Sequence, residues 1–245
     1  MDYSNEELLI AVVARLLKGA GHIAVGVLSP VPGSAAILAQ ARSNRPVKVS
    51  IIGSRIAPYR TDGGVDLFDC AGQGRLDAFF LSGGQIDGHG NINLLGVGDY
   101  PGTQARWSGS FGSAYLYYVV PKVILFREEH TKRTLVEQVD FISAPGTSPA
   151  NVHRPGGPHA LVTSRCLFMF EKEHGGFRLE SLHPGVSVEE VRDNTGFEFA
   201  CPEHVPETAA PSADTLALIR GEIAAKIADP YPRFAAEVLG FEARA

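Results

Sequence analysis

Short apolar runs that alternate with helical patterns dominate the first half of the chain. The apolar runs, typical of buried strands, lie at residues 22–27, 47–52, 76–81 and 123–126. Apolar residues recur at helical spacing over residues 8–17, behind a Ser4/Asn5 cap, and Ser34 is predicted to cap a second helix that runs to Ala41. Another helix is predicted to begin near Gly112. This alternation predicts an α/β fold with an open, mostly parallel sheet and helices on both faces.

The remainder of the chain has a different pattern. Strand-like runs follow at residues 160–163, 167–170 and 177–182, and a His-Gly-Gly turn at 174–176 predicts an antiparallel hairpin between the last two. Ser187 and Glu190 have capping-box spacing and begin a helix predicted to end at Gly196. Ser212 is predicted to cap a final helix with a four-residue apolar stripe: Leu216, Ile219, Ile223 and Ile227. Residues 145–158, rich in proline and glycine, form a predicted loop, and residues 1–245 a predicted single domain.

Composition excludes several classes of function. The 245 residues carry a net charge of −5, which argues against nucleic acid as the main partner because phosphate binding needs clustered Lys and Arg. The three cysteines include no CxxC pair and the histidines no HExxH, so neither a metal site nor a disulfide framework is predicted. No apolar run reaches 18 residues, and the acidic start lacks the positive region of a signal peptide. We therefore expect a cytoplasmic protein that makes no membrane contact.

Glycines recur at defined spacing through the middle third. The segments that contain them or follow them read Gly83-Gly84-Gln85-Ile86-Asp87, Gly88-His89-Gly90-Asn91, Gly109-Ser110-Phe111-Gly112-Ser113, Lys122-Val123-Ile124-Leu125-Phe126 and Glu129-His130-Thr131. Most glycines after strands serve turns. They also let backbone N–H groups approach a ligand closely, as in an oxyanion hole. An exposed carboxylate beside a histidine, as at Glu129 and His130, is most often solvated surface.

The order and spacing of these segments resemble the β half of a family I coenzyme A transferase. The family patterns are GGxQVD, a (D/E)xxGN hairpin, a GxGG loop that opens a helix, KVIV and EHT. In the family the EHT segment lies after a core strand, which implies a structural role for Glu129 and His130. A further segment, from Pro184 to Gly196, resembles the family's APGVTxEExxxxTG. The resemblance covers residues 5–205 and implies a separate α subunit of similar fold, an α2β2 assembly, and coenzyme A only as part of the substrate. Phe111 departs from the family, which usually has glycine there.

The catalytic glutamate of the family is missing. Family members carry it at the end of the strand that corresponds to residues 47–52, where it attacks the thioester and forms a covalent intermediate. Residues 47–54 include no acid here, and Ser50, Gly53 or Ser54 stands in its place, depending on the alignment. Ser50 and Ser54 are therefore candidate catalytic residues, although either is equally well explained as a small residue at a packed strand end.

The resemblance implies three alternatives for function. The leading hypothesis is the β subunit of a CoA-ester hydrolase that opens the last ring of a steroid-derived cyclic keto-acyl-CoA, with its general base on the α subunit. The others are an ordinary CoA transferase of glutaconate or 3-oxoacid type and a non-catalytic stabilising subunit. The predicted oxyanion and CoA-binding residues lie in two segments: Gly83, Gly84 and Gln85, and Gly109, Ser110, Phe111, Gly112 and Ser113.

Overall fold

A computed structural model of the chain describes residues 2–56, 64–99 and 101–242. The helices in this part are α1 (Asn5–Leu16), α2 (Pro30–Ala41), α3 (Val65–Gly72), α4 (Ser113–Val119), α5 (Val188–Asn194), α6 (Ala213–Leu218), α7 (Ala224–Ile227) and α8 (Pro232–Glu237). The strands are β1 (His22–Val25), β2 (Lys48–Ile51), β3 (Ala78–Leu81), β4 (Gln85–Ile86), β5 (Ile92–Asn93), β6 (Gly96–Val97), β7 (Ala105–Arg106), β8 (Lys122–Phe126), β9 (Pro158–Val162), β10 (Cys166–Glu171) and β11 (Gly176–Leu182).

The chain divides into two compact units. The first contains residues up to Phe80 and the segment that begins at Ala209, and the second contains Leu81–Thr208. The prediction of a single domain over residues 1–245 stays a prediction.

Parallel strands form the centre of the first unit, in the order β3-β1-β2. β1 is buried along its whole length, as its apolar sequence predicts for a strand covered on both faces. The capping of α1 is also as predicted. The Ser4 hydroxyl accepts a hydrogen bond from the Glu7 amide, and the Glu7 carboxylate accepts one from the Ser4 amide.

Helix α2 begins earlier than the sequence pattern predicts. The predicted cap at Ser34 is wrong, because the helix already begins at Pro30 and has proline in its first turn. Proline suits this position, where the missing N–H would have no helical partner and the fixed φ is helical. Ser34 lies one turn inside, and its hydroxyl donates to the Pro30 carbonyl.

The C-terminal segment of the first unit contains the predicted helix in interrupted form. Ser212 caps α6 as predicted, and its hydroxyl accepts from the Thr215 amide. A single π-helical turn, Ile219–Ile223, then connects α6 to α7. The apolar stripe is buried along its length. Helices α3 and α8 were not predicted.

The second unit combines parallel and antiparallel pairing in the order β11-β10-β9-β8. β8 and β9 are parallel, whereas β9, β10 and β11 are antiparallel neighbours. The α/β fold, the mostly parallel strands and the C-terminal hairpin are thus confirmed. Ser187 caps α5, as predicted, by accepting from the Glu190 amide. Two small two-stranded sheets are also present. β4-β5 encloses residues 87–91 as the hairpin that the family resemblance implies, whereas β6-β7 was not predicted, because two-residue strands are too short to show a periodic pattern.

No helix within the described residues combines the length and the apolar character that crossing a membrane requires.

Candidate functional site

Ser50, the first candidate at the position of the missing glutamate, is a fully buried residue of β2. Its Oγ lies 3.1 Å from His22 Nε2, and His22 Nδ1 lies 2.9 Å from the Arg75 carbonyl oxygen. Nδ1 must donate to that carbonyl, so Nε2 accepts from the serine hydroxyl. Burial is the main cause that lowers the pKa of His22. A serine and a histidine are thus paired as in a nucleophile–base dyad, but with no exposed surface on Ser50 for a substrate.

Ser54, the second candidate, lies just beyond the carboxyl end of β2 and contacts a carboxylate. Its hydroxyl donates to Asp229 Oδ2 at 2.7 Å. The same oxygen accepts from the amides of Arg55 and Ile56, at 2.6 and 3.3 Å, and Arg55 Nε donates to Oδ1 at 3.0 Å. The loop after β2 is therefore held to the C-terminal segment by one carboxylate with four donors.

The donors around Asp229 determine its protonation state. Burial alone would raise the pKa of this carboxyl group, but the hydrogen bonds from Ser54, Arg55 and Ile56 outweigh it and lower the pKa to about 2. A carboxylate stabilised in this way is a weak nucleophile. Sequence reasoning missed Asp229 because it lies 175 residues from Ser54 and no local pattern marks it.

Gly83, Gly84 and Gln85 lie where β3 leads into β4, and packing explains much of their identity. A Cβ on Gly84 would come within 2.0 Å of the Trp107 ring. The Gly84 amide already donates to the Asn93 carbonyl at 2.9 Å, so in this conformation it has no proton to offer a thioester oxygen. The buried Gln85 accepts from Asn93 Nδ2 at 2.7 Å. For Gly84 the geometry thus argues against the predicted oxyanion role.

Four other backbone amides of the predicted set are open, which means that their N–H groups donate to no acceptor in the described part of the chain. These are the amides of Gly83, Gly109, Ser110 and Gly112. Ser113 differs, since its amide and its hydroxyl both donate to the Ser110 carbonyl, at 2.8 and 2.5 Å. Three open N–H groups within four residues give the loop before α4 the composition of an oxyanion site.

The backbone of this loop is strained. Gly109 has a φ of 98°, which only glycine adopts without cost, and Phe111 has a φ of 42°. A non-glycine residue in this region costs about 1–3 kcal/mol, and such strain tends to occur at functional sites. The Phe111 side chain is 90% exposed. This position, where the family usually has glycine, therefore presents an aromatic ring to solvent beside the open amides.

Glu129 and His130 have structural roles in this conformation, as their sequence context indicates. His130 is buried, with Nδ1 2.8 Å from Thr163 Oγ1 and Nε2 2.9 Å from Thr195 Oγ1. Burial, together with the charge of Arg165, lowers the pKa of His130 to about 4. Glu129 forms ion pairs with Arg127 and Arg133. The segment therefore stabilises the turn after β8.

Comparison with known proteins places the chain in a family. The family model for coenzyme A transferase matches residues 7–194. The chain is 32% identical to one of the subunits of 3-oxoadipate CoA-transferase from Pseudomonas knackmussii, over 89% of this chain and 92% of that one. It is 31% identical to the IpdB subunit of a cholesterol ring-cleaving hydrolase from Rhodococcus jostii, over 63% and 62% of the two chains.

Solved structures of two relatives also resemble this chain. IpdAB of Rhodococcus jostii superposes with a TM-score of 0.79 at 26% identity, over 90% of this chain and 94% of that one. The decarboxylase AibA/AibB superposes with a TM-score of 0.76 at 25% identity, over 92% and 99%. The agreement of sequence, strand order and glycine segments leads to one conclusion: the chain belongs to the coenzyme A transferase family.

Proposed function

We propose that this chain is the β subunit of a heteromeric CoA-ester hydrolase that opens the last ring of a steroid-derived cyclic keto-acyl-CoA. One observation carries the proposal: among the residues that the structure describes, the carboxylate found at the carboxyl end of β2 is fully engaged by hydrogen-bond donors. Residues 47–54 contain no acid, and the carboxylate that reaches this place, Asp229, is engaged by four donors. Covalent exchange of CoA through a glutamyl thioester then has no nucleophile on the described part of this chain.

The reaction needs no group on this chain to become covalently modified. Water adds to the ring carbonyl that is β to the thioester, with loss of a proton to a general base. The bond between that carbon and the α carbon breaks, and its electron pair moves into the thioester as an enolate. A proton then returns to the α carbon, which leaves a ring-opened carboxylate that still carries its CoA thioester.

Charge develops on the thioester oxygen during this step, and this chain would stabilise it. The open amides of Gly109, Ser110 and Gly112 are the candidate donors, with Gly83 as a further one. Removing one donor from an oxyanion hole typically lowers turnover by about 10²–10³-fold. We assign the general base to an α subunit, because the buried Ser50 and the Asp229-bound Ser54 are both poorly placed for that role.

An α partner is part of the proposal. IpdAB and AibA/AibB are both two-component proteins, and the 3-oxoadipate relative is one subunit of its enzyme. We expect this chain to pair in the same way, as an α2β2 assembly in the cytoplasm.

Decarboxylation is the second candidate. It is favoured by the similarity to AibA/AibB, and it breaks a C–C bond through the same kind of thioester enolate. The two candidates differ in the atoms exchanged: hydrolysis incorporates one oxygen of water into the product, whereas decarboxylation releases carbon dioxide.

The test uses the complex of this chain with its α partner and a cyclic β-keto-acyl-CoA in heavy-oxygen water. We expect a ring-opened CoA ester with one solvent oxygen in its new carboxylate. Release of carbon dioxide from a carboxylated acyl-CoA offered in parallel would favour the decarboxylase instead, and exchange of CoA onto added acetate or succinate would establish a transferase.

A further inference from the structure

One cavity in the first unit is lined by none of the residues used in the chemistry above. It has a volume of about 510 Å³ and lies between α1, α2 and the segment that leads into α6. Pockets of this size accept small organic ligands. Its lining includes Gly19 and Ala20, just before β1, and Val47, just before β2. It therefore lies at the amino ends of the parallel strands, whereas Ser54 follows the carboxyl end of β2.

The interior of the cavity is apolar. Ala14 of α1, Ala39 of α2 and Val47 are partly exposed and form its accessible apolar wall, over a buried layer that contains Leu17, Ile23 and Leu38. This surface is suited to the hydrocarbon part of a ligand.

Positive charge surrounds the mouth. Arg15 and Arg42 both line the cavity and are exposed, and no aspartate or glutamate among the described residues lines it. Arg15 donates to the carbonyls of Ala209 and Ala210, and Arg42 donates to the Thr215 hydroxyl. Neither arginine forms an ion pair with an acid anywhere in the part of the chain that is described.

The positive charge of Arg42 affects the pKa of Arg15. Burial is the larger cause that lowers the pKa of Arg15, and the charge of Arg42 is the second. Two like charges held near one another without an acid are stabilised by an anion, and the planar guanidinium matches a carboxylate particularly well.

From this geometry we propose that the cavity binds a monocarboxylic acid with an apolar body, its carboxylate at Arg15 and Arg42 and its hydrocarbon part against Ala14, Ala39 and Val47. Its lining shares no residue with the proposed oxyanion donors or with Ser50 and Ser54. The inference does not depend on which CoA ester the enzyme uses.

Calorimetry on the assembled complex tests the site with decanoate as the probe. We expect decanoate to bind and Arg15→Gln or Arg42→Gln to weaken it about ten-fold or more, since a hydrogen bond to a charged group contributes about 1.5–3 kcal/mol. Arg45→Gln is the matched control: this exposed arginine bonds to the Gly19 carbonyl but does not line the cavity. It should change binding less than two-fold.

A filling variant separates this cavity from the substrate site. Ala39→Phe places a ring in the cavity, so we expect it to abolish decanoate binding while turnover of the CoA ester persists. Decanol lacks the carboxylate and inorganic phosphate lacks the hydrocarbon chain, so each should bind at least ten-fold more weakly than decanoate. The proposal is overturned if decanoate does not bind at millimolar concentration, if the two arginine variants bind it as the wild type does, or if decanol or phosphate binds equally well.

Discussion

Individual glycines of the predicted site differ in what they do. Gly84 faces the Trp107 ring, where any side chain would collide, and its amide is already hydrogen-bonded. Gly112 has an ordinary φ of −96° as the residue before α4, and its amide is open. The first glycine therefore serves packing, whereas the second is a candidate for contact with the substrate.

Replacing each of these glycines by valine separates the two roles. Gly112→Val keeps the backbone N–H but places a branched side chain beside it that obstructs the approach of the thioester oxygen, so turnover should fall by about 10²-fold while the melting temperature stays near the wild-type value. Gly84→Val should lower the melting temperature, because its Cβ overlaps the indole ring. Kinetics and thermal unfolding of the complex measure both. Wild-type turnover in Gly112→Val would move the oxyanion site elsewhere.

Asp229 is predicted to stabilise the loop after β2 and not to react. Asp229→Asn weakens the acceptor for Ser54 and for two backbone amides, so we expect a loss of about 1–3 kcal/mol in stability. In a chain of this size that lowers the melting temperature by several degrees. Ser54→Ala removes one donor and should cost less. Asp229→Asn with unchanged stability and no turnover would instead indicate a catalytic carboxylate.

At the scale of elements, prediction succeeded where the spacing of apolar residues keeps one periodicity over several helical turns or strand residues. The buried runs became β1, β2, β3 and β8, and the serine caps of α1, α5 and α6 are as predicted. It failed where local chemistry allows two answers, as at Pro30, which suits a turn and a first helical turn equally well. Asp229 and Trp107 could not be predicted, because their roles depend on contacts between distant parts of the chain.

His130 is buried and contacts Thr163, which follows β9, and Thr195, which follows α5, and its burial predicts a dependence of stability on pH. Below pH 6.5 the unfolded chain protonates this imidazole, but the folded protein resists protonation of His130 down to about pH 4. The unfolded state therefore binds more protons in that window, and stability falls as pH is lowered through it. The slope is about 1.4 kcal/mol per pH unit for one such histidine.

His130→Asn tests this prediction. The variant should be less stable at pH 7, because its shorter amide cannot span Thr163 and Thr195 as the ring does, but its melting temperature should fall less steeply between pH 7 and 5. His174→Asn is the control, since His174 is an exposed residue in the turn before β11. An unchanged pH dependence in His130→Asn would rule out this histidine as the cause.

At the scale of the whole molecule, the proposed site is incomplete without a second subunit. The described residues include a set of backbone donors, whereas Ser50 is buried and Ser54 is bound to Asp229, so neither is placed to act as the base. Exposed apolar residues, among them Phe141 and Ile142 at about half exposure, are consistent with a surface that another chain covers.

The expected result is obligate pairing. Expressed alone, the chain should be inactive and poorly soluble, and co-expression with an α-type partner should yield a stable α2β2 complex. Light scattering and activity assays measure this. A soluble monomer that turns over a CoA ester would contradict it.

The central claim is that this family member works without a covalent CoA intermediate on this chain, and mass spectrometry tests it most directly. The complex is incubated with its acyl-CoA substrate, and the intact mass of this subunit is measured with and without borohydride. A CoA transferase that carries CoA on a glutamate would gain the mass of CoA and lose activity on reduction. We predict an unchanged mass, no loss of activity and a ring-opened product that keeps its thioester. A CoA-sized increase on this subunit, with exchange of CoA onto acetate or succinate, would show that the chain is an ordinary transferase.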